Sequence, residues 1–345
     1  MKARSAIAIL MGLTLASLAG AQTPSDIDWT DDVANNPVII EPGLTDANRA
    51  YYGHVIFDSF ADKWRAWFDA SSGADVGYGE SDGPEGVEFG NYVLCDGFST
   101  GTQSKPFVVQ LGENEFRMWY MADARAGGYA INTCVSSDGV TWSEDVPCTG
   151  IAEDDPTQFG PTERIAVVQL DDGSFVAYVR CEEPNHYDEY DPQLLEVGLE
   201  LFDAKYLHRY VSENGIDWTW TNFTEANSSI NEDGNFMTGM EFSSVVPHPV
   251  HEAVWYACRR NANSERRVIS SVSTDGGLTF NLDEEIVADV GDTGTQSYNP
   301  DRNFHPSVTY MGGDQWIMYR SVADPKATAR AIGTEPLSVD SWQIR

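Results

Sequence analysis

The residues of this chain that could do chemistry fall in two interleaved sets. One set stands at the starts of short apolar segments: His54, Lys105, Glu163, Arg164, Glu241 and His305. The other stands at the ends of the aromatic segments that follow them: Asp69, Asp123, Arg180, Arg259, Arg260 and Arg320. Together they hold six of the chain's 21 lysines and arginines. Carboxyls in such sets can supply a general acid and a base or nucleophile, histidine can move a proton near neutral pH, and Lys and Arg can hold an anionic group. A single polar residue where a strand meets water needs no function; several converging on one mouth make a site. The sequence carries no serine-nucleophile motif, Walker loop, dinucleotide fingerprint or HExxH helix. No cofactor is expected, and no ligand motif stands behind a structural Ca²⁺ at the axis.

A repeated unit must position these residues. It opens with an apolar strand, passes a polar turn, enters a strand rich in Trp and Tyr, and continues through two more strands joined by a Gly-containing turn. Five copies are legible. Their first strands begin near His54, Pro106, Ile165, Phe242 and Ser307, and their second strands carry Trp67, Trp119, Tyr178, Trp255 and Met318. Segments bounded by Gly, Asp, Asn and Pro, without an amphipathic helix, predict an all-β fold. Four strands per repeat predict a five-bladed β-propeller, with an extra strand near Val38 completing the last blade and hiding its edge. The fifth unit is expected to end in a strand near Trp342. In such a ring the first strand of each blade lines the axis and the second returns antiparallel. First-strand starts and second-strand ends therefore share one face. The third unit is the longest; its charged and aromatic extra residues, 182–205, read as a surface loop.

Met1-Lys2-Ala3-Arg4, the apolar run from Ala6 to Leu18 and Ala19-Gly20-Ala21 predict a cleaved signal peptide over residues 1–21. Residues 22–345 then form a single β-propeller domain that is secreted or periplasmic. The net charge is −33, from 54 acidic against 21 basic residues. That charge disfavours nucleic acid and anionic lipid as partners, and no protein partner is indicated. It reads first as a solubility adaptation and makes each clustered basic residue more informative. Five cysteines offer two candidate disulfides, Cys181–Cys258 and Cys134–Cys148.

The turn Ser273-Thr274-Asp275-Gly276-Gly277-Leu278-Thr279-Phe280 has looser echoes at Ser136 to Trp142 and Ser212 to Trp218, and a degenerate one from Ser81 to Phe89. Asp or Asn caps backbone N–H groups, Gly supplies φ > 0, and the aromatic pins the turn to the sheet. These turns resemble the Asp-box of sialidase-like propellers, a fold marker on the outer edge of a blade. The unit from Lys105-Pro106-Phe107 through Phe116-Arg117-Met118-Trp119-Tyr120 to Trp142 resembles the five-bladed glycoside hydrolases, the arabinanase/xylosidase and invertase/levansucrase relatives. The likeness runs over most of residues 50–345.

That resemblance implies a carbohydrate substrate and three carboxylates lining a funnel. Glu163 matches the general acid and His305 the axial histidine of the fifth blade. His54 and Lys105 stand where the family has Asp, so the second carboxyl is left open between Glu241, Asp69 and Asp123. The catalytic set is therefore Glu163, Glu241 and His54. The substrate-binding set is Lys105, Asp69, Asp123, Arg164, Arg180, Arg259, His305 and Arg320, and its basic character points to an anionic glycan. Three other readings remain. A sialidase-like exo-glycosidase would use the arginines. A polysaccharide lyase would use Lys105 with His54 or His305. A sugar-binding propeller would have no chemistry at all.

Overall fold

The computed structural model describes residues 27–32, 34–39, 51–70, 75–99, 101, 103–122, 130–151, 164–182, 205–223, 241–248, 255–260, 268–288, 299–324 and 327–334. The signal-peptide segment, the 183–204 loop and the strand expected near Trp342 lie outside the described residues. After β1 (Asp28–Asp31), the described strands form hairpin-connected groups. The first is β2 (Tyr51–Asp58), β3 (Lys63–Asp69), β4 (Val76–Asp82) and β5 (Gly90–Leu94). The second is β6 (Gln103–Gly112), β7 (Glu115–Ala122), β8 (Ala130–Ser136) and β9 (Val146–Pro147). The third is β10 (Arg164–Gln169), β11 (Phe175–Glu182), β12 (Lys205–Ser212) and β13 (Thr219–Phe223). The fourth is β14 (Glu241–Pro247), β15 (Trp255–Arg260), β16 (Val268–Ser273) and β17 (Asn281–Ala288). The fifth is β18 (Asn299–Gly312), β19 (Gln315–Asp324) and β20 (Ala327–Thr334), with β1 as its outermost strand. Each of the five sheets has four strands, all antiparallel. The first strands neighbour one another in the order β2, β6, β10, β14, β18 and back to β2. The fold is an all-β propeller.

The second strands show why the repeat folds this way. In β3, Lys63 and Arg65 alternate with buried Trp64 and Ala66, and then Trp67, Phe68 and Asp69 are all buried. Strict alternation serves a strand with one covered face, whereas a continuous buried run serves one sandwiched between two neighbouring sheets. β7 repeats the pattern, with Phe116 and Met118 to Ala122 buried.

Among the described residues, four of the joints between neighbouring sheets are tied by an aromatic side chain that donates to the main chain of a capped or Gly-containing turn. Ser136 Oγ accepts the Gly139 N–H at 2.9 Å and Asp138 Oδ1 accepts the N–H groups of Val140 and Thr141. Ser212 with Asn214, and Ser273 with Asp275, repeat this scheme. The turns so formed present one glycine carbonyl to the preceding sheet. Trp67 Nε1 donates to Gly139 O at 2.7 Å, Trp119 Nε1 to Gly215 O at 2.9 Å, and the Tyr178 hydroxyl to Gly277 O. Tyr319 donates to Gly86 O at 2.8 Å, tying the fifth sheet to the first. Tyr319, not the expected Met318, is thus the fifth repeat's marker. In the fourth sheet the equivalent register position is Cys258 rather than Trp255. The physical reason is that the fifth sheet takes its outer strand from the N-terminus. It has no third-to-fourth-strand turn for an aromatic donor to meet.

Ring closure departs from expectation in detail. The strand that completes the fifth sheet is Asp28–Asp31, paired from Asp28↔Thr334 to Asp31↔Ala331. The stretch near Val38 contributes only an isolated bridge, Ile39↔Thr328. Charge explains the choice: Asp31 meets buried Arg320 at 2.6 Å and Asp32 pairs with Arg330. Asn36 bonds both backbone groups of Arg330.

The Cys134–Cys148 disulfide does not form. Cys148 follows β9 as Cys95 follows β5, and each opens a Cys-x-Gly strip, Cys95-Asp96-Gly97 and Cys148-Thr149-Gly150. Asp96 and Thr149 bridge in parallel to Thr141 and Asp217 of the next sheet's turn. A Cβ on Gly97 or Gly150 would lie 1.9 Å from the carbonyl oxygen of Trp142 or Trp218, so only glycine fits there. The two thiols point toward the glycine carbonyls that the indoles also address, at 3.7 Å from Gly139 and 3.9 Å from Gly215. Their spacing therefore marks a repeated dock. The side chains of Cys181 and Cys258 lie outside what the structure describes.

Candidate active site

Strand register brings the two chemical sets together. At one end of the hairpins the facing pairs are Tyr51↔Asp69, Ser104↔Met121, Arg164↔Arg180, Glu241↔Arg260 and Phe304↔Ser321. First-strand starts and second-strand ends therefore share a rim, as the repeat implies. The register also corrects the levels. Glu241 is level with Arg164. Arg260, not Arg259, is level with Arg180 and Asp69. Arg259 shares its register position with Arg320, one residue along; at Arg320 that position faces away from the rim residues. Arg320 accordingly points to Asp31 and serves ring closure.

Four of the five first strands carry an extra residue just inside the rim: between Tyr51 and His54, Ser104 and Phe107, Phe242 and Ser244, and Phe304 and Ser307. Such bulges re-aim side chains and gather beside active sites. At two of them a non-glycine residue is left-handed, Lys105 at φ 54° and His305 at φ 47°. Both precede proline, which disfavours compact backbone conformations. Strain of this kind costs about 1–3 kcal/mol per residue and persists only where its surroundings hold it. At Lys105 the holder is identifiable: buried Asp69 accepts the Lys105 N–H on Oδ1 at 2.8 Å. A hydrogen bond to a charged group is worth about 1.5–3 kcal/mol, enough to offset the strain. His305 is 2% exposed.

His54 lies deeper than the register position of Lys105 and His305. Its Nδ1 accepts the Val108 N–H at 3.2 Å and its ring packs on Phe107 with centroids 4.0 Å apart. Burial, with the Arg164 charge acting in the same direction, lowers its pKa to about 3. The imidazole is neutral, with its proton on Nε2. Nδ1 of His54, the residue expected to be catalytic, is used by main chain, and this bond stitches neighbouring first strands. Ser307 and Ser244 do the same at their joints, accepting the N–H groups of Val55 at 3.2 Å and Val308 at 3.0 Å. The joints on either side of the third sheet have Phe107 and Ala166 at this position and close by apolar contact instead.

Arg164 is 1% exposed, and its guanidinium is close enough to His54 for its charge to be felt there. Glu163 and Asp123 lie outside the described residues. Glu241, Arg180 and Arg259 are placed by backbone alone. The register level of each strand end can be found in the sequence by counting. Two residues past each aromatic donor comes the rim residue: Asp69 after Trp67, Met121 after Trp119, Arg180 after Tyr178, Ser321 after Tyr319.

No protein-family model and no curated protein matches the sequence. Solved structures do match in fold. An α-L-arabinofuranosidase from Podospora anserina, solved with cellotriose, aligns at a TM-score of 0.57 with 11% identity, over 91% of this chain and 99% of that one. An endo-arabinase from Bacteroides thetaiotaomicron aligns at 0.56 with 10% identity, over 86% and 96%. An endo-1,4-β-xylanase from the same organism aligns at 0.53 with 13% identity, over 82% and 90%. At these identities the likeness is one of fold, and it joins this chain's propeller to those of carbohydrate-cleaving enzymes.

Proposed function

We propose that the protein is an exported, five-bladed β-propeller glycoside hydrolase that cleaves a glycan at the rim where first strands start and second strands end. The observation that carries this reading is the register, which sets Asp69, Arg164, Arg180, Glu241 and Arg260 at one end of neighbouring hairpins. The fold-level likeness to an arabinofuranosidase, an arabinase and a xylanase supports the substrate class. In this reading Glu163, beside Arg164, protonates the leaving oxygen. Glu241, level with Arg260 in the strand register, is the carboxylate that activates water or attacks the sugar. Lys105, Arg180 and His305 bind the substrate, and Asp123 remains the further carboxyl at the second sheet's rim. His54 and Arg320 support the ring.

The test is a panel of neutral and anionic glycans, with new reducing ends and the ultraviolet absorbance of unsaturated uronates followed together. Reducing ends without absorbance, lost in Glu163→Gln, would support hydrolysis. Both signals at once would make the protein a lyase, and affinity without product would make it a sugar-binding propeller.

A further inference from the structure

We propose that Asp69 is a positioning residue: it holds Lys105 in the left-handed backbone conformation that offers the lysine ammonium to an acidic group of the glycan. The proposal rests on the glycan reading above and names the substrate class, a polymer bearing carboxylate or sulfate.

Three observations carry it. First, a left-handed residue ahead of proline is ordinarily glycine, because any Cβ is strained there. This chain places a lysine at φ 54° before Pro106. A side chain kept where glycine would be easier has a use for its functional group. Second, the strain is held from the neighbouring sheet. Asp69 ends β3, Lys105 is the third residue of β6, and the 2.8 Å bond from the Lys105 N–H to Asp69 Oδ1 crosses the joint. Asp69 is 5% exposed, and one of its carboxylate oxygens accepts this backbone N–H. Third, basic groups are scarce, 21 against 54 acidic residues. Yet the same rim holds Arg164, Arg180 and Arg260, one register step or less from Lys105. In a strongly acidic protein a local basic rim draws in an anionic ligand and leaves the remaining surface to repel it.

The experiment compares Asp69→Ala, Asp69→Asn, Lys105→Gly and the double variant Asp69→Ala/Lys105→Gly with the wild type. The probes are an oligouronate, a sulfated oligosaccharide and a neutral oligosaccharide. Affinity is read by calorimetry, turnover by reducing ends, and the Lys105 amide by hydrogen exchange. Lys105→Gly should weaken binding of the charged probes about tenfold and leave the neutral one within about threefold. Asp69→Ala should cost a similar factor in affinity or KM with little change in kcat, and should expose the Lys105 amide. Asp69→Asn keeps an acceptor oxygen and should recover most of that loss. In the double variant the two losses should not add, because Asp69 acts through Lys105. The oligouronate and sulfated probes decide which acid is preferred.

If Asp69→Asn abolishes turnover while binding persists, Asp69 is a catalytic carboxylate and the positioning role is wrong. An unchanged Lys105 amide in Asp69→Ala overturns it too, and so does a wild type that binds neither charged probe. A wild type that binds charged probes without product, with the variant pattern intact, overturns the hydrolase reading alone. Should Asp69→Ala fail to fold, Asp69→Asn and Lys105→Gly carry the decision.

Discussion

His54 Nδ1 accepts the backbone N–H of Val108 across the joint between the first and second sheets, at 3.2 Å. An imidazole in that role must be neutral, and burial with the nearby Arg164 charge keeps it so, with its pKa lowered from 6.5 to about 3. Proton linkage gives the consequence for stability. In the unfolded chain His54 binds a proton below about pH 6.5, and in the folded chain it does not until about pH 3. Stability is therefore whole above pH 6.5 and is lost as the pH falls from there toward 3, by up to about 1.4 kcal/mol per pH unit. Buried His208, lowered to about 4 by desolvation, has the same sign. The depressed carboxyls of Asp58 and Asp138 start from 3.8 and act only at lower pH. Urea unfolding at pH 7.5, 6.5 and 5.5 should show the loss, and His54→Gln, which keeps an acceptor without titrating, should reduce the slope between pH 6.5 and 5.5.

Gly276 and Gly277 are adjacent and both left-handed, at φ 73° and 78°, but a side chain would meet different surroundings at each. A Cβ on Gly276 touches nothing within 4 Å, whereas on Gly277 it would lie 2.2 Å from the Tyr178 hydroxyl and 2.5 Å from Trp255. Gly276→Ala should cost about 1 kcal/mol of backbone strain. Gly277→Ala adds overpacking and disturbs the Tyr178 bond, for a loss of about 3 kcal/mol or more. Thermal melts of the two variants side by side test the difference.

The Asp31–Arg320 pair joins the outermost strand of the fifth sheet to a guanidinium that is 1% exposed on the side chain. Removing Asp31 takes a carboxylate at 2.6 Å away from that buried charge. Asp31→Ala should therefore destabilise by about 3 kcal/mol, much more than a surface ion pair would. Limited proteolysis should then release the segment around residues 27–39 before the remaining strands. Equal resistance in variant and wild type would show that backbone pairing alone holds the strand.

Cys95, Cys134 and Cys148 should resist alkylation in the native protein. Burial raises the Cys95 thiol to about 12 and the Cys134 thiol further still, so neither offers thiolate at neutral pH. Mass spectrometry after iodoacetamide treatment should find these three modified only once the chain is unfolded. A Cys134–Cys148 bridge in the non-reduced digest would contradict the structure.

Much of the propeller is legible in the sequence because each blade writes its own local pattern. Trp67, Trp119 and Tyr178 stand out as markers, and the Ser-x-Asp/Asn turns as caps, since both signals lie within a few residues of sequence. The partner of each marker is not legible. Trp67 meets Gly139 and Tyr319 meets Gly86, contacts that span 72 and 233 residues. No local periodicity records them. The cysteines mislead for the same reason: spacing within one repeat suggests a bridge, while the structure uses Cys95 and Cys148 as equivalent docks in successive joints.

The candidate site divides the same way. That His54, Lys105, Arg164, Glu241 and His305 belong near one rim comes from the repeat alone, because antiparallel strands of like length return to the same end. Which of them face the ligand is decided by bulges and register. One extra residue in β2, β6, β14 and β18 displaces the rest of the strand by one place, and in a strand one place is the opposite face. Sequence by itself determined the sheet-forming repeat, the capped turns and the concentration of charge at strand ends, since these depend on local sterics and on apolar alternation. Tertiary structure alone decided that His54 is a stitch, that Arg320 pairs with the closing strand and that Asp69 holds Lys105. Each of those roles is a hydrogen bond or ion pair between different strands, and its partner is chosen by packing in three dimensions.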